Sequence, residues 1–369
     1  MAFGFTDEQE GLRTAVRSFL EHVSPESEVR RLMETGDGFD RMVWRRAAQE
    51  LGLQGLIVPE ALGGSGAGFI ELAIIAEEMG RRLLPGPYLS AVLATAALLE
   101  SGDDGACKEH LPGIAAGDTI ATLAVAEASG SWAATDVRCR ATLNTQDDVL
   151  LDGVKELVTD AHVADLLIVA ARGPEGVALY RVVAGAPGLT VTPQTTFDRT
   201  RRLARVELRD VPARPLGGAD EGTLERVLLL GGIALSAEQV GGAQEALDMA
   251  VQYAKDRVQF GRAIGSFQAI KHLLADTLLE VESARSAAYY AAWSAADGDP
   301  ELPTVAPLAK AYCSDAFSLT ASNNMQVHGG ISFTWEHPAH LYYRRAKSSA
   351  QLLGSPRAHR ELLAQRLGL

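Results

Sequence analysis

The apolar residues of this chain change their period twice. Near the start, Thr6 followed by Gln9 forms a capping-box pattern. Leu12, Ala15, Val16, Phe19 and Leu20 then recur at i, i+3, i+4, i+7 and i+8, the spacing of one apolar stripe on a helix. Helical spacing returns over residues 42–51 and 71–83, interrupted by Gly63-Gly64-Ser65-Gly66 and by Pro85-Gly86-Pro87. From about Thr119 the pattern becomes short β-branched and aliphatic runs at 119–125, 137–143, 149–151, 166–170, 177–183, 189–192 and 203–208, the third stopping at the turn signal Asp152-Gly153. Beyond Pro215 strand signals end, and Leu/Ala-rich helical periodicity covers 222–254, 267–297, 303–324 and 339–353, with Gly298 as a stop. The expected fold class is therefore α+β: an N-terminal all-α domain (1–118), a central antiparallel β domain (119–217) and a C-terminal four-helix-bundle domain (218–369).

Charge and cysteine usage narrow the functional classes. Lys and Arg total 34 against 47 Asp and Glu, a formal charge of −13, so nucleic acid or an anionic membrane as main partner starts from an unfavourable field. Arg199, Arg201, Arg202 and Arg205, and Arg344, Arg345 and Lys347, are local basic clusters that suit either a small phosphorylated ligand or a salt-bridged face. Cys107, Cys139 and Cys313 lie far apart with no CxxC spacing, which argues against a disulfide framework, a zinc ribbon or an iron–sulfur cluster. The opening residues 1–8 carry acids where a signal peptide has bases. The longest apolar run, 227–235, is shorter than the roughly 18 to 20 residues that cross a bilayer, so no membrane span and a cytoplasmic location are expected.

The usual catalytic signatures are missing. There is no βαβ alternation for a doubly wound nucleotide fold, and Gly64-Ser65-Gly66-Ala67-Gly68 sits between helical segments with no preceding strand, so it reads as a turn. No G-x-S-x-G marks a nucleophile elbow. His337 and His340 are three apart, but Pro338 intervenes and no carboxylate pair completes a metal site. They read as loop or helix-end histidines, and no metal is expected.

The third region carries Arg257-Val-Gln-Phe260-Gly261-Arg-Ala-Ile-Gly265-Ser-Phe-Gln268, then Gln326-Val-His-Gly329-Gly330-Ile-Ser-Phe333-Thr-Trp335-Glu336-His337-Pro338 and Arg344-Arg345-Ala346-Lys347. In order, spacing and α-β-α layout this resembles the acyl-CoA dehydrogenase family over nearly the whole chain. The resemblance implies a flavoenzyme that holds FAD non-covalently, oxidises an acyl-CoA thioester to its enoyl-CoA and passes electrons to an electron-transfer flavoprotein. A carboxylate base removes the thioester α-proton while the flavin accepts the β-hydride. It also implies that FAD lies across a subunit boundary. Arg257 would then neutralise the pyrophosphate of a neighbour's FAD, Phe260 would stack near its adenine, Gln268 and Gln326 would join the same contact, and Gly329 and Gly330 would allow close backbone approach. The alternative for Arg257 is a pairing with Asp256 or Asp276, with Phe260 as core.

Elsewhere the chain departs from the family. A Thr-Glu-Pro-Gly-Ala-Gly-Ser-Asp-like segment is represented by Ala126-Glu127-Ala128-Ser129-Gly130-Ser131-Trp132. A Lys-x-Trp-Ile-Thr-Asn segment is represented by Lys155-Glu156-Leu157-Val158-Thr159-Asp160. Thr159 keeps a hydroxyl for the flavin ring, but Leu157 stands at the tryptophan. Leu353 occupies the usual position of the catalytic glutamate, and Gly231 the position used by relatives that keep the base on the upstream helix. Glu238 lies seven residues on from Gly231, about 10 Å along the axis, and Glu225 is the other fallback. Residues 80–87 and 198–205, with Phe333-Thr-Trp-Glu-His337, look like actinobacterial subunits that work as heteromers, including those acting on steroid side-chain CoA thioesters. The expectation is a subunit that completes a partner's FAD site, most simply in an α2β2 assembly with a paralogous chain. The rival expectations are a stand-alone dehydrogenase with a relocated base, and a non-redox acyl-CoA-binding or scaffold homologue without FAD.

Overall fold

The computed structural model describes residues 4–143 and 149–369, so the first three residues of the acidic opening segment lie outside it. The helices before the sheet are α1 (Asp7–Val23), α2 (Glu26–Met33), α3 (Arg41–Leu51), α4 (Phe69–Arg82), α5 (Tyr88–Glu100) and α6 (Asp104–Ala115). Seven strands follow: β1 (Ala121–Ala124), β2 (Arg140–Leu143), β3 (Val149–Thr159), β4 (Leu166–Gly173), β5 (Gly176–Val183), β6 (Leu189–Gln194) and β7 (Leu203–Pro215). The remainder is α7 (Glu221–Asp256), a small hairpin of β8 (Val258–Gln259) and β9 (Arg262–Ala263), α8 (Gln268–Ala296), α9 (Leu302–His328), α10 (Ala339–Gln351) and α11 (Pro356–Arg366). Among the described residues no helix is long and apolar enough to cross a membrane.

The chain divides into two units. One comprises the chain up to Arg31, Phe69–Leu84 and Gly232–Leu369; the other comprises Leu32–Gly68 and Pro85–Gly231.

The first unit is helical. Thr6 caps α1 through the Gln9 amide, and Gln9 returns the bond to the Thr6 amide at 3.0 Å, the reciprocal box its sequence announces. α4 carries two carboxylates into the interior. Glu77 accepts from Arg13 at 2.9 Å and from the Tyr289 hydroxyl at 2.6 Å and also pairs with Arg285, while Glu78 takes a fork of bonds from Arg17 at 2.9 and 2.7 Å. α4 and α7 cross backbone to backbone: a Cβ at Gly80 would lie 2.0 Å from the Glu238 carbonyl, and one at Gly241 would lie 1.8 Å from the Glu77 carbonyl. Glycine is the residue that allows that approach.

The second unit holds the sheet, whose strands form a hydrogen-bonded circuit β4-β5-β7-β3-β2-β4, with β1 on β4 and β6 on β7. The expected antiparallel domain needs correction, because the sheet is mixed: β1 runs parallel to β4, and β2 touches β4 in parallel at Arg140 and Arg172. Reciprocal bonds fix this. The Ile120 amide donates to the Asp165 carboxylate at 2.8 Å and the Asp165 amide to the Ile120 carbonyl at 2.7 Å, so both strands start side by side in the same direction. Asp152-Gly153 is not a turn either. It continues β3 through a bulge, and a Cβ at Gly153 would meet the Cys139 backbone at 2.8 Å.

Candidate functional site

The last turn of α7 leads into the segment that sequence analysis singles out. The Arg257 amide donates to the Tyr253 carbonyl at 2.8 Å, and the chain then reverses in the β8-β9 hairpin, closed by Ile264 N–H to the Arg257 carbonyl at 2.8 Å. Phe260 and Gly261 are its two central residues, at φ +52° and +77°, the left-handed pair that a two-residue hairpin turn requires. Phe260 thereby sits in a backbone conformation uncommon for a bulky side chain, and the residue is 93% exposed. It is not core. Phe267 meets its edge at 6.2 Å between centroids and is itself covered by the Arg262 guanidinium at 4.0 Å. Gly265 lets the returning chain press on α7, since a Cβ there would be 2.8 Å from the Ala254 carbonyl.

The Arg257 side chain is exposed and has no ion pair or hydrogen bond among the described residues; Asp256 instead accepts from Gln252 at 2.8 Å. Both alternatives weighed from the sequence, an Asp256 or Asp276 pairing and a core Phe260, are thus corrected. A small apolar cluster of Ala250, Ala254 and Val327, with Ile264, Ile270, Leu273 and Leu274 against it, ties the ends of α7 and α9 to the start of α8. It brings Arg257, Phe260, Gln268, Gln326, Gly329 and Gly330 to one end of the helical unit, the two glutamines and two glycines all exposed. Gly329 ends α9 at φ +66°, and neither Gly329 nor Gly330 has any atom within 4 Å of where a Cβ would stand. Tyr253 stacks on His328 at 4.2 Å, and His328 faces His337 at 4.3 Å. Sequence reasoning passed over Tyr253 and His328. The available signal was position: one lies four residues before Arg257 and the other directly before Gly329.

Thr159 belongs to the other unit. It ends β3, buried, and its carbonyl accepts from the Thr122 hydroxyl at 2.6 Å. On the same strand Leu157 is held at φ +57°, and Lys155, fully buried, donates to Glu127 at 2.8 Å and to the Val125 carbonyl at 3.0 Å. Burial works to raise the Glu127 carboxyl, but Lys155 and the Cys139 and Arg138 amides outweigh it and leave the group below its ordinary range. The loop bearing Trp132 is thereby tied to β3, with the Glu156 amide donating to the Ala126 carbonyl at 2.8 Å.

The expected base positions hold no base. Leu353 is 3% exposed at φ +58°, its carbonyl bound by His359 at 2.9 Å and that of Gly354 by the buried Lys310 at 3.4 Å. Gly231 is buried within α7. Of the fallbacks, Glu238 is tied to the buried Arg345 guanidinium at 2.8 Å, and Glu225 is exposed in the first turns of α7. The basic clusters serve the fold. Arg199 reaches Glu34 at 2.7 Å, Arg202 the Met33 and Thr35 carbonyls at 2.7 Å, and Arg205 both Glu156 and Glu207. Arg344 and Lys347 lie over Trp335 and Tyr343. His340 is buried with neither ring nitrogen hydrogen-bonded, and burial, then Arg30 and Arg344, push it down to about 4.

An unpaired guanidinium, an exposed aromatic ring, two side-chain amides and two open glycines at one end of a helical unit fit the phosphates and base of a dinucleotide. Helices before and after a mixed sheet are the layout of a class of flavin-dependent dehydrogenases, which comparison with known proteins identifies. Residues 223–368 match the family described as acyl-CoA dehydrogenase, C-terminal domain, and residues 6–118 its N-terminal domain. The chain belongs to the acyl-CoA dehydrogenase family of FAD-dependent oxidoreductases. It is 37% identical to acyl-CoA dehydrogenase IpdE2 of Mycolicibacterium smegmatis over 95% of this chain and 96% of that one. Among solved structures it resembles a variant of the Tcur3481-Tcur3483 steroid ACAD, at 31% identity, TM-score 0.91 and 98% coverage of both chains. It also resembles the ChsE4-ChsE5 complex of Mycobacterium tuberculosis, at 28% identity, TM-score 0.92 and coverage of 100% and 99%.

Proposed function

We propose that this chain is one subunit of a cytoplasmic heteromeric acyl-CoA dehydrogenase, an α2β2 assembly in which it completes the FAD site of a base-bearing paralogue. The observation that carries this reading is an asymmetry. The groups suited to another chain's dinucleotide are open to it, Arg257 without an ion pair among the described residues and Phe260 exposed, whereas Leu353 and Gly231 fill the places of a base and Glu238 is committed to Arg345. Arg257 neutralises the pyrophosphate, Phe260 covers the adenine, Gln326 and Gln268 supply polar contacts, and Gly329 and Gly330 let the backbone approach. FAD supplies the hydride acceptor, and Thr159 offers a hydroxyl to a flavin ring. The partner contributes the carboxylate that takes the α-proton, and an electron-transfer flavoprotein takes the electrons. The Tcur3481-Tcur3483 steroid ACAD supports an acyl group borne on a steroid-derived skeleton, and the ChsE4-ChsE5 complex supports pairing with a second kind of chain.

The test is to purify the chain alone and together with a paralogue encoded beside it, then to measure bound flavin and enoyl-CoA formation. Flavin saturation and turnover should need both chains. A lone chain that is fully flavin-loaded and turns over as fast as the pair overturns the reading in favour of a relocated base. A pair without a flavin absorbance spectrum overturns it in favour of a scaffold.

A further inference from the structure

One contact chain links the arginine to a pair of histidines. Tyr253 lies one helical turn before Arg257, its ring stacks on His328 at 4.2 Å, and His328 faces His337 at 4.3 Å. Hydrogen bonds fix both tautomers. His328 Nδ1 lies 2.9 Å from the Asn324 carbonyl, an acceptor, so Nδ1 carries the proton and Nε2 keeps its lone pair. His337 Nδ1 lies 3.2 Å from the Ala339 amide, a donor, so Nδ1 keeps the lone pair and Nε2 carries the proton. Burial above all lowers both rings from the ordinary histidine value, so they are neutral near neutral pH. Neither Nε2 makes a hydrogen bond among the described residues. His328 directly precedes Gly329 and Gly330, where nothing stands within 4 Å of either Cβ position.

We infer that His328 and His337 read the base edge of the dinucleotide gripped by Arg257, His328 Nε2 accepting and His337 Nε2–H donating. That pattern complements adenine, whose exocyclic amine donates and whose adjacent ring nitrogen accepts. It opposes hypoxanthine, which presents an oxygen and a ring N–H at the same places. The inference rests on the reading of a dinucleotide held at Arg257, and it adds base specificity to what was a phosphate and stacking site.

The experiment uses the purified assembly stripped of flavin, titrated with FAD and with the flavin dinucleotide that carries hypoxanthine for adenine, following quenching of flavin fluorescence. The wild-type protein should prefer FAD by about tenfold or more, the usual worth of a well-placed hydrogen-bond pair to a base. His337→Phe and His328→Phe, which keep the ring stack, should each weaken FAD and leave the analogue unchanged. Equal affinity of the wild-type protein for both dinucleotides overturns the inference without need of any variant, as does discrimination that survives both substitutions. Arg257→Gln separates this from the parent reading: it should weaken both dinucleotides alike. If it weakens neither, the dinucleotide is not held at Arg257 and the parent reading falls. If it weakens both while the wild-type protein does not discriminate, only the base-edge role falls.

Discussion

Replacing Arg257 with glutamine removes a charge that has no ion-pair partner among the described residues, so binding and stability effects separate. Losing a charged hydrogen bond to phosphate is worth about 1.5 to 3 kcal/mol, so in the proposed assembly the affinity for FAD should fall by about tenfold or more. The melting temperature should hardly move, because surface substitutions away from special features stay within roughly 0.5 kcal/mol. An FAD titration and a thermal melt check both halves. Lys155 behaves in the opposite way. Its ammonium is fully buried and spans Glu127 and the Val125 carbonyl, so Lys155→Met leaves a half-sheltered carboxylate without its cation. Breaking such a pair from one side costs about 3 to 5 kcal/mol. Urea denaturation should show that loss, and the double variant Glu127→Gln with Lys155→Met should recover part of it.

At the level of elements, the α4-α7 crossing has the least tolerance. Ala at Gly241 would set a methyl group 1.8 Å from the Glu77 carbonyl, so the helices must part. Overpacking of this kind costs about 1 to 3 kcal/mol, and a melting point unchanged in Gly241→Ala would show the crossing to be looser than described. The elements also show what a sequence reveals. All seven apolar runs between 119 and 208 became strands, and the Thr6-Gln9 box opens α1, because alternation and capping are local signals. α5 carried no such signal. Eleven of its thirteen residues are buried, so no polar face gives it a period. The parallel β1-β4 pairing was hidden because it depends on Ile120 meeting Asp165 across 45 positions. Asp152-Gly153 looked like a turn because its glycine is needed by a distant strand, through Cys139.

On the scale of the whole molecule, one buried and one half-buried histidine bear on its tolerance of acid. His340 and His359 are both pushed down to about 4, burial being the first cause in each case, with Arg30 and Arg344 acting on His340 and Lys310 on His359. In the unfolded chain each titrates near the ordinary value of about 6.5. Their neutral forms therefore contribute stability that is fully present above about pH 6.5 and is lost as the pH falls toward 4. Urea midpoints should drop across that window, and less steeply in His359→Gln; a midpoint flat from pH 7 to 4.5 would rule the effect out. The candidate site was legible to a similar depth. Arg257, Phe260 and the Gln326-Gly330 run stand out as a spaced motif, and Leu353 stands where the family resemblance expects a base. The stack of Tyr253, His328 and His337 joins three segments, and nothing in any one of them announces the others.

The turn at Phe260 leaves an apolar surface that the chain alone does not cover. A nearly bare aromatic residue at the apex of a tight loop contributes stability only through whatever covers it, at roughly 25 cal/mol per Å² of apolar surface buried. In the assembly proposed above, Phe260→Ser should therefore lower the melting temperature and the bound flavin of the pair while leaving the melt of the lone chain unchanged.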